Sequence, residues 1–354
     1  MQIIPPEKLL IVTRKWHFRG SHTSVERFLD FFSGSPVISN ENEFKRPYRF
    51  IKALAKKANH SAYTRQSAGL EIAALLYAIW HRPALVHFFY GDHDYHFAGK
   101  VLRLFGIKCA ATFYFSIKEL EERMDNKNHF QYLDLALATG RAQQEYLSSF
   151  INPDNLDYLP LGVDTHFFTP LSGFIPDPEN PIILQVGVNR RDFKLAHQTL
   201  SQLKKDYQKL VVHMIGCYDQ KESFSDLPFV QFHQKISDDE LLHLYQSATL
   251  LLLPLEDGGS SNTLNEALAC GLPVVATKVI NFVDYTNDDC VSLCPQGNAA
   301  VMVDSCKSII SNTKNYETFR IAARNLACSY SWENIYTQLT GIYQKRLNLR
   351  IKTI

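Results

Sequence analysis

The sequence predicts an α/β protein made of two doubly wound domains. Short apolar runs alternate with longer amphipathic segments along the 354 residues. The alternation breaks once, at a stretch interrupted by prolines and a glycine, and then resumes. A chain of this length also exceeds one typical hydrophobic core.

Strands buried on both faces read as short continuous apolar runs, and the helices that cross between them read as amphipathic segments. The first half runs "KLLIVT", "TSVERFLDFF", "ALVHFF", "HFAGKVLRLFG", "KCAATFYF", and "LDLALAT" followed by "RAQQEYLSSF". The break is "DYLPLGVDTHFFTP", Asp157 to Pro170, which reads as a linker. The second half repeats the scheme with "IILQVG", "LVVHMIG", "FVQFH", "DDELLHLYQSA", "TLLLLPL", "NTLNEALACG", "PVVAT" and "VSLC". The expected domains are 1–165 and 166–333.

Composition narrows the function. The apolar fraction is 45% and the charged fraction 21%, as in soluble globular proteins. A formal net charge of +1 leaves no field to hold a polyanion, so nucleic acid is not an expected partner. Cys109, Cys217, Cys270, Cys290, Cys294, Cys306 and Cys328 lack the paired spacing of a zinc site and read as reduced core thiols. No apolar stretch approaches the ~20 residues that span a bilayer. The beginning, "MQIIPPEKLLIVTRKW", lacks a long h-region and a cleavage signal, so a cytoplasmic location is expected. Neither G-x-G-x-x-G nor G-x-x-x-x-G-K-[ST] occurs, which leaves a standard dinucleotide or P-loop site unsupported.

The most informative stretch is "GGSSNTLNEALACGLPVVAT". After the buried strand "TLLLLPL" the chain turns through Gly258 and Gly259, and Ser260, Ser261 or Asn262 can cap a helix beginning near Thr263. Free backbone N–H groups, the positive helix end and small side chains suit a phosphate. One turn further, the Glu266 carboxylate can accept hydrogen bonds from two neighbouring hydroxyls, as on a ribose. Together these suit a nucleoside diphosphate. The same residues also read as a capped core helix with Glu266 as a dipole partner. A second segment, "LQVGVNRRDFK", ends a strand at Gly187 and delivers Arg190, Arg191 and Lys194 to the same edge of the sheet, where cations can grip a diphosphate. Those cations read as ordinary surface charges too.

With these residues in view, the sequence resembles the retaining glycosyltransferases of group 1 (family 4), which have the GT-B fold of two facing Rossmann-like domains. "LPLEDGGSSNTLNEALACGLPVVAT", "ILQVGVNRRDFK", "LALATGRAQQEYL…LPLGVDTHFFTP" and "SWENIYTQLTGIY" carry the resemblance. It implies that Glu266 binds the donor's ribose, that the backbone at Ser261, Asn262, Thr263 and Leu264, with Gly187, cradles the diphosphate, and that Arg191 and Lys194 neutralise it. It implies an interdomain linker at Gly162, Val163 and Asp164, and a last helix, about 334–354, that starts near Trp332 and completes the N-terminal domain. It also implies a nucleoside diphosphate sugar as donor, no metal requirement, and a saccharide or lipid-linked acceptor. The function expected is sugar transfer with retention in cell-envelope or exported polysaccharide synthesis. A sugar-nucleotide epimerase of similar fold and a non-catalytic partner subunit are the alternatives.

The sequence departs from the family pattern at several points. The family's first acid falls on Gly258, which makes neighbouring Asp257 the candidate substitute and Glu256 its rival. The histidine after "TF" is replaced by Tyr114, and the double glycine of the first loop is reduced to Gly20 in "RGSHTSVERF", with Ser21 and His22 beside it. Asp92-His93-Asp94 after the strand "LVHFF" imitates a metal-binding D-x-D, but the resemblance implies a leaving group stabilised by helix dipole and cations rather than by metal. The basic amphipathic segment 44–60 reads as a solvated helix face, with peripheral contact to an anionic membrane as the other reading.

Overall fold

The computed structural model describes residues 1–16, 20–23, 25–41, 58, 60–312 and 315–352. The chain forms two compact units. Unit 1 comprises Met1–His17, Phe28–Leu161 and Glu333–Ile354, and unit 2 comprises Phe18–Arg27 and Gly162–Trp332.

Unit 1 is built on a six-stranded parallel sheet of β1 (Leu9–Val12), β2 (Val37–Ile38), β3 (Leu85–Phe88), β4 (Lys108–Phe113), β5 (Leu135–Ala138) and β6 (Leu156–Tyr158), in the order β2-β1-β3-β4-β5-β6. Every residue of β1, β3 and β5 is buried, which explains their unbroken apolar runs. Around them lie α1 (Arg65–His81), α2 (Ala98–Leu104), α3 (Ile117–Arg123) and α4 (Arg141–Leu147). Reciprocal capping boxes start α1 at Thr64 and α3 at Ser116.

Two sequence expectations change here. "TSVERFLDFF" forms a 3-10 turn over Arg27–Phe32 in place of a crossover α-helix. The long helix α1 has no counterpart among the elements read above. Its apolar residues lie on both the inner face, with Leu70, Ala74 and Ala78, and the outer face, with Leu76, Ile79 and Trp80, which erases a helical period.

Unit 2 holds β7 (Ile182–Val186), β8 (Val211–Ile215), β9 (Val230–His233), β10 (Leu250–Leu253), β11 (Val274–Thr277) and β12 (Val291–Cys294), all parallel, in the order β9-β8-β7-β10-β11-β12. The order reverses between β7 and β10. In doubly wound sheets that reversal opens a crevice at the carboxyl ends of the two strands. The helices are α5 (Phe193–Asp206), α6 (Asp238–Ser247), α7 (Asn262–Ala269), α8 (Ala299–Ser311) and α9 (Tyr316–Ser329). The Arg324 guanidinium on α9 donates to the carbonyls of Thr165 and Phe168 and to that of Ala269 at the end of α7, each at 2.7 Å.

Gly162, where unit 2 resumes, is a close-approach glycine: a Cβ there would lie 2.2 Å from the Trp332 ring. Trp332 begins α10 (Trp332–Ile342), whose remainder belongs to unit 1. There Leu349–Ile351 pairs in parallel with Gln2–Ile4 as a two-stranded ribbon. All seven cysteines are free thiols, six of them buried.

Candidate functional site

The carboxyl ends of β7 and β10 bring together the two segments singled out above. Past β7 the chain turns at Gly187, whose φ of 86° favours glycine. A Cβ at Gly187 would sit 3.2 Å from the Arg191 guanidinium and 3.9 Å from Thr263 Oγ1. The loops after β7 and β10 are laced together, because Asp192 N–H donates to the Pro254 carbonyl and Glu256 N–H to the Arg190 carbonyl, both at 3.0 Å. Arg191 folds back over its own loop: Nε and Nη2 donate to the Val186 carbonyl at 3.1 and 2.8 Å, and Nη1 to the Asn189 carbonyl at 3.0 Å. Burial pushes its pKa down to about 10, so the guanidinium stays charged at neutral pH. Arg190 takes a left-handed backbone, with φ of 54°, and Lys194 is exposed in the first turn of α5.

The glycine-rich loop leads into α7. Ser261 is its N-cap, with Oγ accepting from Leu264 N–H at 3.3 Å, so the helix starts at Asn262, one residue earlier than expected. Asn262 is half-buried, while Thr263, Leu264 and Glu266 are buried. Glu266 Oε2 accepts a hydrogen bond from Tyr245 Oη at 2.9 Å. Tyr245 lies on α6 and is itself buried. Burial and the neighbouring carboxylate hold its phenol pKa well above the ordinary value, so it remains a donor. The site therefore offers a fixed cation, a capped helix N-terminus and a buried, oriented carboxylate: the first two suit an anion, the third paired hydroxyls.

Packing accounts for the glycine at 258, because a Cβ there would lie 3.2 Å from Val279 Cγ2 and 3.4 Å from Phe282 Cε2. Asp257, next to it, is half-buried, and Glu256 is exposed.

The N-terminal loop has a role of its own in unit 2. Ser21 N–H and Oγ both donate to Asp238 Oδ2 at 2.8 Å, and a Cβ at Gly20 would lie 1.6 Å from Asp238 Oδ1. Gly20 thus packs against the first turn of α6, the helix that carries Tyr245. His22 stacks on Phe167 with ring centroids 3.8 Å apart, and its Nδ1 lies 2.8 Å from Asp164 Oδ2.

Tyr114 belongs to unit 1. It follows β4, its N–H donates to the Asp92 carboxylate, and its ring centroid lies 5.5 Å from that of Tyr90. The D-x-D look-alike is tied into the same unit. Asp92 also accepts from Phe115 N–H, and Asp94 forms a buried ion pair with Arg14. No group of three or more His, Cys, Asp or Glu side chains among the described residues is placed to hold a metal. Segment 44–60 lies outside the described residues except for Ala58 and His60.

Tyr245 and Asp238 were not among the residues the sequence marked, and Asp164 was marked only as part of the linker. "DDELLHLYQSA" reads as one amphipathic helix, and only the contact with Glu266, 21 residues on, distinguishes Tyr245.

The same fold occurs across solved structures. Sucrose-phosphate synthase from Thermosynechococcus elongatus superposes with a TM-score of 0.71 at 15% identity, covering 96% of this chain and 99% of that one. Anabaena HepE, solved in complex with UDP-glucose, superposes with a TM-score of 0.66 at 15% identity over 95% of this chain and 99% of its own. Two parallel α/β sheets in this arrangement of strands define a GT-B chain. Among curated relatives, the MMP alpha-(1->4)-mannosyltransferase of Mycolicibacterium hassiacum is 23% identical over 239 residues, 61% of this chain and 55% of that protein. The chain spans about half or less of the length of the curated relatives it matches. Residues 174–326 match the family described as glycosyl transferases group 1. No helix among the described residues is long and apolar enough to cross a membrane.

Proposed function

We propose that this protein is a retaining glycosyltransferase that moves a sugar from a nucleoside diphosphate sugar to a saccharide or lipid-linked acceptor in cell-envelope or exported polysaccharide synthesis, acting in the cytoplasm. One observation carries the reading: Glu266 is buried and oriented by Tyr245 at a sheet reversal that also gathers Arg191, Gly187 and the N-terminus of α7. In this reading Glu266 accepts the ribose hydroxyls, and the amides at Ser261 to Leu264 face the diphosphate. Arg191 and Lys194 stabilise the charge that grows as the glycosidic bond breaks, so that no metal is required. Asp257 takes the sugar hydroxyls that an acid at 258 would have held. Tyr114, in unit 1, is the catalytic candidate at the place of the family's histidine.

The test is a thermal-shift titration with uridine, guanosine and adenosine diphosphates, followed by product analysis with the sugar nucleotide that stabilises most. A ligand that binds only the folded state raises the melting temperature by mass action. Transfer with the donor's anomeric configuration preserved supports the proposal. An inverted product overturns retention, a sugar still attached to nucleotide but epimerised marks the epimerase, and binding without turnover marks the non-catalytic subunit.

A further inference from the structure

The outer face of α1 and α2 in unit 1 has an unusual make-up. Leu76, Ile79 and Trp80 stand at i, i+3 and i+4 on α1, so they share one side of the helix, and all three are exposed, Trp80 by 84%. Leu104, at the end of α2, is 81% exposed, and Phe105 follows it. The two groups form one surface. The helices pack on each other, and Arg82 joins their ends, with its guanidinium 4.6 Å from the Phe105 ring and Nη1 donating to the Phe105 carbonyl at 3.5 Å.

The exposed charges on the two helices and the segment between them have a single sign. Arg65, Arg82, Lys100 and Arg103 are exposed, whereas the acidic residues between Ser61 and Lys108, Glu71, Asp92 and Asp94, are all buried. Monomeric soluble proteins seldom leave contiguous apolar area uncovered without a use for it. If a second copy covered this face through a two-fold axis, the same patch would meet itself and bring the cations of Arg82, Lys100 and Arg103 together with no exposed acid on these helices to offset them. A bilayer bearing anionic headgroups satisfies both features. Leucine and isoleucine enter the acyl boundary, tryptophan sits at the headgroup level, and the cations meet phosphate.

We propose that the face formed by Leu76, Ile79, Trp80, Leu104 and Phe105, rimmed by Arg82, Lys100 and Arg103, docks unit 1 on an anionic lipid surface. The proposal stands on exposure and charge alone and is independent of the glycosyl-transfer reading.

The test is co-sedimentation of the full chain with vesicles of mixed phosphatidylglycerol and phosphatidylcholine, against vesicles of phosphatidylcholine alone. Wild type should sediment with the first and not the second. Replacing Leu76, Trp80 and Leu104 together by Ser should lower partitioning by about 10-fold or more, with the melting temperature retained because the three side chains are exposed. Lys100→Glu with Arg103→Glu should weaken binding to the anionic vesicles by a similar factor, and added salt should weaken the wild type as well. Absence of wild-type sedimentation overturns the proposal. So does a triple variant that binds like the wild type, which assigns the contact to another segment. A wild-type dimer in light scattering that the triple variant converts to monomer, without vesicle binding, gives the face to a second copy.

Discussion

Glu266 has two partners in the proposed site, a ligand hydroxyl on one side and Tyr245 on the other, and its removal should register in both. A helix former alone does not replace it: Glu266→Ala leaves the buried Tyr245 hydroxyl without its acceptor, which costs about 1–3 kcal/mol of stability. The same change should weaken nucleoside diphosphate binding by about 10- to 100-fold, measured by calorimetry, since hydrogen bonds to a charged group contribute about 1.5–3 kcal/mol. Unchanged affinity would remove Glu266 from the site. Arg191→Ala should lower kcat by on the order of 100-fold, whereas Arg190→Ala should not, because the guanidinium packed against Gly187 is that of Arg191. If Arg190→Ala shows the larger loss in a steady-state assay, the assignment is reversed. Asp257→Asn should depress transfer and leave binding of the bare diphosphate unchanged, with Glu256→Gln as the comparison. Damage from Glu256→Gln alone would show that the turn presents the other acid.

Elements, unlike contacts, were largely readable. The strands of both sheets are short apolar runs because both faces are covered, and α7 announces itself by small residues before an apolar stripe. Helix α1 was not readable, because apolar residues on its outer face imitate a core with no preferred side. Nor was the reason for Gly162, which the sequence marks as part of a linker and the structure shows to be the seat of the Trp332 ring. A flat, buried indole has little room to move aside. Gly162→Ala should therefore destabilise by about 1–3 kcal/mol, read as a fall in melting temperature, and no shift would show that the ring relocates at little cost. Tyr245 shows the limit of a one-dimensional reading most clearly, because its role exists only where α6 and α7 meet.

At the scale of the whole molecule, acid should act through the histidines of unit 1. Burial lowers the pKa of His60 to about 4 and of His87 and His93 to about 3, and lowers His96 and His129 as well. Unfolded histidine titrates near 6.5, so between about pH 6.5 and 4 the unfolded chain takes up protons that these rings refuse, and stability falls with falling pH. Glu71 and Asp92, raised by burial to about 7 and about 8, act with the opposite sign, because their folded forms hold protons that the unfolded chain releases. Five histidines against two acids leave a net loss, expected as a falling melting temperature from pH 6.5 to 4.5; a level or rising profile would refute the balance. The ribbon that joins Gln2–Ile4 to Leu349–Ile351 has a consequence during synthesis. At about 5–20 residues per second, the first strand emerges from the ribosome roughly 20–70 s before its partner is made. Unit 2, whose last residue is Trp332, can complete its sheet while unit 1 still lacks α10 and the closing strand. The order of birth is thus the reverse of the order of maturity: the half begun first is finished last, and until then a chaperone has an open edge to hold.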